Sequence, residues 1–226
     1  MATINDSYSV IMPVKNGSKF ILYALKSVVE QTCPAMNIIV IDDHSTDSTR
    51  KLVENHFPDT RVIHASGHGQ LNAIFEGLQI IDTEYVSFLD SDDYWSPTKQ
   101  EKQLRTLEAN QELHAVCSGV VNFLDNKDDV TNILGNAKSF IHSRQFGATT
   151  FRTESLQNSF PLVSNMSHFQ WQMDWWIKSI DQGLKYVQTN ELHLYRRIHK
   201  DNSWTTKSAQ GNRELIEFIR IHKERK

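Results

Sequence analysis

Tyr85-Val86-Ser87-Phe88-Leu89-Asp90-Ser91-Asp92-Asp93 reads as a mostly apolar strand that stops in a cluster of carboxylates. Two other stretches share that design. Asn37-Ile38-Ile39-Val40-Ile41-Asp42 is a continuous apolar run closed by Asp42 and Asp43, and Tyr8-Ser9-Val10-Ile11-Met12-Pro13-Val14 leads into Asn16 and Gly17. A run such as 37–42, with no polar alternation, fits a strand buried on both faces, as in parallel sheets. Arg61-Val62-Ile63-His64 is a shorter strand candidate.

Helical periods lie between these strands. Phe20, Ile21, Ala24, Leu25, Val28 and Val29 make one apolar face over residues 18–31. Ser45-Thr46-Asp47-Ser48-Thr49 offers N-cap residues for a helix over 49–57. Gly67-His68-Gly69 is a loop before a third helix over about 70–81. The β-α-β-α-β-α-β order predicts a Rossmann-like doubly wound, mostly parallel sheet for residues 1 to about 95. Ligands bind such sheets at the carboxyl ends of the strands, which is where each polar cluster falls.

Farther on, Pro97 opens a helix to about Asn110, and Ala115–Val121 is another strand candidate. Residues 125–140 are turn-rich, and 171–182 form a helix containing three tryptophans. An amphipathic helix is expected over 213–224. At 226 residues the chain suits one domain. Residues 1–95 and 96–226 are expected to be two halves of that one domain, the second ending in a C-terminal helix.

The net charge of −3 gives no reason to expect nucleic acid as a partner. Cys33 and Cys117, with no CxxC spacing, argue against a disulfide scaffold and a zinc site and fit a reducing cytoplasm. The sequence shows neither a signal peptide nor an apolar run long enough to span a bilayer. The expected location is therefore cytoplasmic, with the basic segment 220–226 a candidate for peripheral contact with an anionic membrane.

Carboxylates crowded at one strand end repel one another unless a cation is present, and hard cations such as Mn2+ or Mg2+ prefer such oxygens. The plainer reading of 90–93 is an acidic surface turn with Asp93 capping a helix. A carboxylate at Asp42 or Asp43 can accept a hydrogen bond from a base N–H or a ribose hydroxyl, or it can simply begin the next turn.

Together these strings resemble the family 2 glycosyltransferases, which have the GT-A fold. The matching stretches are 8–16, 38–49 and 85–97, with Gly67, Gly69, Leu71, Asn72 and Ala73 similar to the family's glycine loop. Gly147–Arg152 resembles the segment before the acceptor-side helix, and Leu194–Ser203 resembles a Tyr-Arg-x-His ending. The resemblance covers roughly residues 8–203. It implies that Pro13, Val14, Asn16, Asp42, Asp43, Asn72, Asp90, Ser91 and Arg197 (or Arg196) contact the nucleotide-sugar. It also implies that Asp92 and His199 hold the metal, and that the 195–203 segment closes over the donor. The donor expected is UDP- or dTDP-linked, and the acceptor a saccharide or lipid-linked saccharide.

One departure stands out. Inverting members take their general base from the Asp of a Glu-Asp pair at the start of a helix, and an ungapped alignment puts Gln172 there. Glutamine is no base, so a small register shift to Asp174 is the reading preferred, against that of a charge complementing the helix dipole. Trp171 or Trp175 is expected to border the acceptor site, where an exposed indole would stack on a pyranose ring. Two other readings are weighed. Nucleotidyl transfer lacks its Gly-rich basic loop after the first strand. A catalytically impaired sugar-nucleotide or glycan-binding protein draws its support from Gln172.

Overall fold

The computed structural model describes residues 7–124, 141–142, 144–160 and 170–199. The parallel half follows the sequence closely. β1 (Tyr8–Val14), β2 (Asn37–Asp42), β3 (Arg61–His64) and β4 (Tyr85–Phe88) lie side by side in the order β3-β2-β1-β4. The connecting helices are α1 (Ile21–Val29), α2 (Thr49–His56) and α3 (Gln70–Leu78), shorter at their ends than the periodicity suggests.

Successive residues of β1 explain the missing polar alternation. Val10, Met12 and Val14 enter one core with Ile21, Ala24, Leu25 and Val28 of α1. Ile11 enters the opposite core with Ile39 and Ile41 of β2 and Ala73, Ile74 and Leu78 of α3. Both faces of the sheet are covered, so both sets of side chains must be apolar. Pro13 lies past Ile11, the last β1 residue in register with β4, where the ladder on that side has ended.

The second half is antiparallel where it joins the first. It contains β5 (Tyr94–Trp95), α4 (Lys99–Ala109), β6 (Ala115–Leu124), β7 (Ile141–His142), β8 (Thr149–Arg152), α5 (Thr153–Ser159), α6 (Gln170–Asp181) and β9 (Tyr186–Ile198). β8 runs antiparallel to both β4 and β6 and stitches the halves into one nine-stranded sheet, β3-β2-β1-β4-β8-β6-β9-β5, with β7 on β6. β9 runs parallel to β6 and antiparallel to β5, with Tyr94 opposite Tyr195. That last pairing brings the end of β9 back to the turn after β4.

The short β5, β8 and α5 are not apparent in the sequence, and neither is the full length of β9. The middle of β9, Gln188-Thr189-Asn190-Glu191, carries no apolar pattern because it is partly exposed. The expectation for Trp171 and Trp175 is corrected. Each is 2% exposed, and their rings pack edge-on against Phe146 with centroids 5.0 and 5.2 Å away. Positions 171 and 175 share one helical face, which α6 turns into the core beside Phe146, so neither indole offers a flat surface to a sugar.

The segments expected at 125–140 (but for β7 beside it), 213–224 and 220–226 lie outside the described residues. Among those described, no helix is long and apolar enough to cross a membrane.

Candidate active site

The ends of β1, β2 and β4 face one another across the sheet edge. Asn16 has φ 53, a left-handed conformation that asparagine tolerates better than most residues. Its side-chain oxygen accepts the Thr46 N–H at 2.8 Å, and its own N–H donates to Ser45 Oγ at 2.9 Å, tying the β1 loop to the β2 loop. Gly17 completes the approach to the acidic turn. A Cβ there would stand 2.5 Å from Val14 Cγ2 and 3.1 Å from Ser91 Oγ, so no larger residue fits. Ser48, the N-cap residue of α2, makes no side-chain cap bond; Asp47, just before it, accepts the Thr49 N–H and hydroxyl through Oδ1 and the Ser18 N–H through Oδ2.

Asp42 and Asp43 are both buried. Asp42 Oδ1 accepts the Ser45 N–H at 3.1 Å, and its Oδ2 lies 3.9 Å from His64 Nδ1. Asp43 Oδ2 accepts the Gly69 N–H at 3.0 Å and sits 3.6 Å from Lys15 Nζ. Gly69, at φ 89, delivers that N–H from a conformation few other residues reach. Asn72 does not reach toward this pocket. Its amide donates to Glu76, which also accepts from Ser66 and Gly67, so Asn72 stiffens the glycine loop.

After β4, the Asp93 N–H closes a turn onto the Asp90 carbonyl at 3.1 Å. Carboxylate oxygens of Asp90, Asp92 and Asp93 all lie within 4.8 Å of one another. Gln70, not singled out in the sequence, donates to Asp90 Oδ1 at 2.6 Å from the first turn of α3. Asp93 does not cap a helix. It accepts the Arg197 N–H at 2.9 Å and so fastens β9 to the turn. His199 Nε2 lies 3.0 Å from Asp92 Oδ2, with its ring against Phe20 at 4.7 Å.

The two arginines divide their work. The Arg197 guanidinium lies over Phe20 and Phe123, and its Nε donates to the Asp92 carbonyl at 3.1 Å. The charge that acts on the Asp90 and Asp93 carboxylates is that of Arg196. Burial, and then the neighbouring Asp92 charge, push Asp90 up to about 7 against the pull of Arg196 and Gln70. The same two causes hold Asp93 well above the ordinary carboxylate range.

This donor set fits a hard divalent cation. It is all oxygen, it is crowded, and its members repel one another until a positive charge is present. His199 beside Asp92 is compatible with Mn2+ in particular, since imidazole is a borderline ligand.

Asp174 is a member of neither cluster and lies in the second turn of α6. It is 8% exposed, and its Oδ2 receives Lys178 Nζ at 2.6 Å. Gln172, the ungapped alternative, is half-buried on the same helix.

The family model described as Glycosyl transferase family 2 matches residues 9–172. The chain is 28% identical over 220 residues to the Escherichia coli UDP-Glc:alpha-D-GlcNAc-diphosphoundecaprenol beta-1,3-glucosyltransferase WfaP, covering 92% of this chain and 82% of that one. It is 26% identical to the E. coli chondroitin synthase, over 86% of this chain but 29% of the relative. Among solved structures it resembles S. aureus TarS in complex with UDP, with a TM-score of 0.69, 18% identity and coverage of 86% and 61% of the two chains. The Pyrobaculum calidifontis mannosyltransferase PcManGT, in complex with GDP-Man and Mn2+, gives a TM-score of 0.68 at 21% identity, over 95% and 64%. The chain thus spans most of WfaP and less than two thirds of the two solved chains. With a GT-A sheet, strand-end acids and a family match over most of its length, the chain belongs to glycosyl transferase family 2.

Proposed function

We propose that this chain is a metal-dependent, inverting glycosyltransferase that moves a sugar from a UDP- or dTDP-linked donor to a saccharide or lipid-linked saccharide. The observation that carries the reading is the cluster of Asp90, Asp92 and Asp93 oxygens within 4.8 Å, one strand removed from the end of β2. With β1 between them, the two acidic ends are roughly 10 Å apart, two strand spacings. That separation suits a nucleotide whose base meets Asp43 and whose diphosphate meets the β4 turn. The names of WfaP, which uses a UDP-sugar, and of TarS, solved with UDP, support the donor class.

In this reading residues 1–95 hold the donor and 96–226 the acceptor. Asp90, Asp92 and His199 would hold Mn2+ or Mg2+, which supplies positive charge to the departing nucleoside diphosphate. Gln70 keeps Asp90 in place, Arg197 and Asp93 keep the turn and β9 together, and Arg196 adds positive charge. The acceptor hydroxyl oxygen forms the new bond to the anomeric carbon as the carbon–phosphate-oxygen bond breaks. The diphosphate leaves with that electron pair, and the hydroxyl proton passes to a carboxylate, which we assign to Asp174.

The Asp174–Lys178 ion pair favours a second reading, a nucleotide-sugar or glycan-binding protein without turnover, because that carboxylate already has a partner. One experiment separates them. A panel of nucleotide-sugars is incubated with Mn2+, Mg2+ or EDTA, and nucleoside diphosphate release is measured. Metal-dependent release from one donor supports the enzyme. Metal-dependent nucleotide binding without release, with candidate acceptors present, supports the binder, and no nucleotide binding at all sinks the enzyme and the nucleotide-sugar binder alike.

A further inference from the structure

We infer that Asp43, His44 and His68 form a second cation site, suited to a borderline divalent ion of the zinc class and distinct from the acidic turn after β4. One potential ligand atom from each of the three lies within 4.8 Å of the others. Ligands 2.0–2.1 Å from one zinc ion stand roughly 3.4 Å apart in a tetrahedron, so closure requires a shift of about an ångström. The His68 side chain, 76% exposed, is free to make that shift.

The local chemistry is prepared for an ion. Asp43 is 6% exposed, and while its Oδ2 is engaged by the Gly69 N–H, its buried Oδ1 has no hydrogen-bond partner. That same Oδ1 faces His68 Nδ1 at 3.6 Å. His44 Nε2 lies 3.1 Å from the Gly67 carbonyl. A carbonyl can only accept, so Nε2 carries the proton and Nδ1 keeps its lone pair. Fixing a tautomer through a backbone carbonyl is the usual outer support of a metal-binding histidine.

His44 holds this place at φ 57, where glycine would stand with less strain, and its ring meets those of His64 and His68 at 4.5 and 4.2 Å. Two imidazoles and one carboxylate, with water completing the shell, suit zinc, copper or nickel rather than Mg2+. The cysteine spacing, which argues against a zinc site in the sequence, does not bear on an Asp/His set. Lys15 touches Asp43 through Oδ2 and is itself half-exposed, so it leaves Oδ1 open.

The consequence rests on Asp43 contacting the donor base. An ion held by Asp43 Oδ1 removes that contact, so zinc-class ions compete with the nucleotide while Mg2+ or Mn2+ serves transfer.

The test uses the untagged full chain in saturating Mg2+, titrated calorimetrically with Zn2+. One Zn2+ per chain is expected. His44→Ala and His68→Gln should each weaken it at least tenfold, while Asp92→Ala leaves it unchanged. Retention of full affinity in His68→Gln, whose exposed side chain puts folding at little risk, would overturn the site, as would its loss in Asp92→Ala. In a second arm UDP is titrated with and without Zn2+, with a drop of at least tenfold in UDP affinity expected. Equal UDP affinity in both overturns the competition. Zinc binding with no UDP binding under any condition leaves the ion site standing and removes the proposed function instead.

Discussion

At the end of β2, Asp42 accepts the Ser45 N–H and faces His64, while Asp43 accepts the Gly69 N–H beside Lys15 and His68. At the end of β4, Asp90, Asp92 and Asp93 share a single turn, with one carboxylate oxygen of each within 4.8 Å of the others, and Gln70, His199 and the Arg197 N–H reach them from elsewhere in the chain. The first pair meets donors and basic side chains from its own loop and from the ends of β1 and β3. In the second group Asp93 is buried and Asp90 and Asp92 are partly so, and loss of solvent together with mutual repulsion drives Asp90 to about 7 and Asp93 well above its ordinary range. The same residue type at equivalent strand ends therefore serves two purposes. One end already holds hydrogen-bond donors and basic side chains around its carboxylates, and the other gathers carboxylates whose mutual repulsion a cation would relieve.

The strongest challenge to this contrast is Asp92→Ala. Transfer should fall about 10³-fold or more, since several kcal/mol of charge stabilisation are removed. Far-UV circular dichroism should be unaltered, and a variant that still transfers with metal would break the contrast outright.

Asp174→Asn asks whether a carboxylate outside both clusters takes the proton. A fall in kcat of roughly 10²-fold with UDP affinity unchanged assigns it as the base. A change confined to melting temperature assigns it to the Lys178 pair.

Asp43→Asn sharpens the β2 side. Isothermal titration should show UDP binding weaker by about tenfold, the scale of one charged hydrogen bond, with the metal requirement intact. A lost metal requirement would show that the two ends are not independent.

The smallest effect concerns the loop that positions Gly69. Burial alone would raise Glu76, but hydrogen bonds from Ser66, Gly67 and Asn72 outweigh it and hold its carboxyl below the usual value. A lowered folded value contributes stability above the ordinary glutamate range and loses it as pH falls through the folded value. Glu76→Gln should therefore lower the melting temperature near neutral pH by about 2–4 °C, on the order of 1 kcal/mol. The gap to the wild type should close in acid, and a gap independent of pH would refute the account.

Much of the parallel half was legible because local pattern and tertiary role agree there. The continuous runs at 8–14 and 37–42 are apolar because helices cover both faces of the sheet, and the acids fall where those strands must end. The site was legible in part. Asp90, Asp92 and Asp93 come together from a four-residue window, whereas Gln70 carried no signal beyond following Gly69. Trp171 and Trp175 held their answer in their i,i+4 spacing, since two indoles stacked on one helical face go to the core together.

By itself, the sequence determined the order of the first strands and helices, the strand-end placement of the acids and the family resemblance, all consequences of short-range pattern. Only the tertiary structure decided which distant groups meet. The antiparallel pairing of β5 with β9 sets Tyr94 opposite Tyr195, and that register carries His199 to Asp92 across 107 residues. It also separates Arg197, locked between Phe20 and Phe123, from Arg196, whose charge acts on the buried acids. Neighbouring residues of a strand point to opposite faces, so which arginine meets the site depends on register, and register is set by pairing partners far away in the chain.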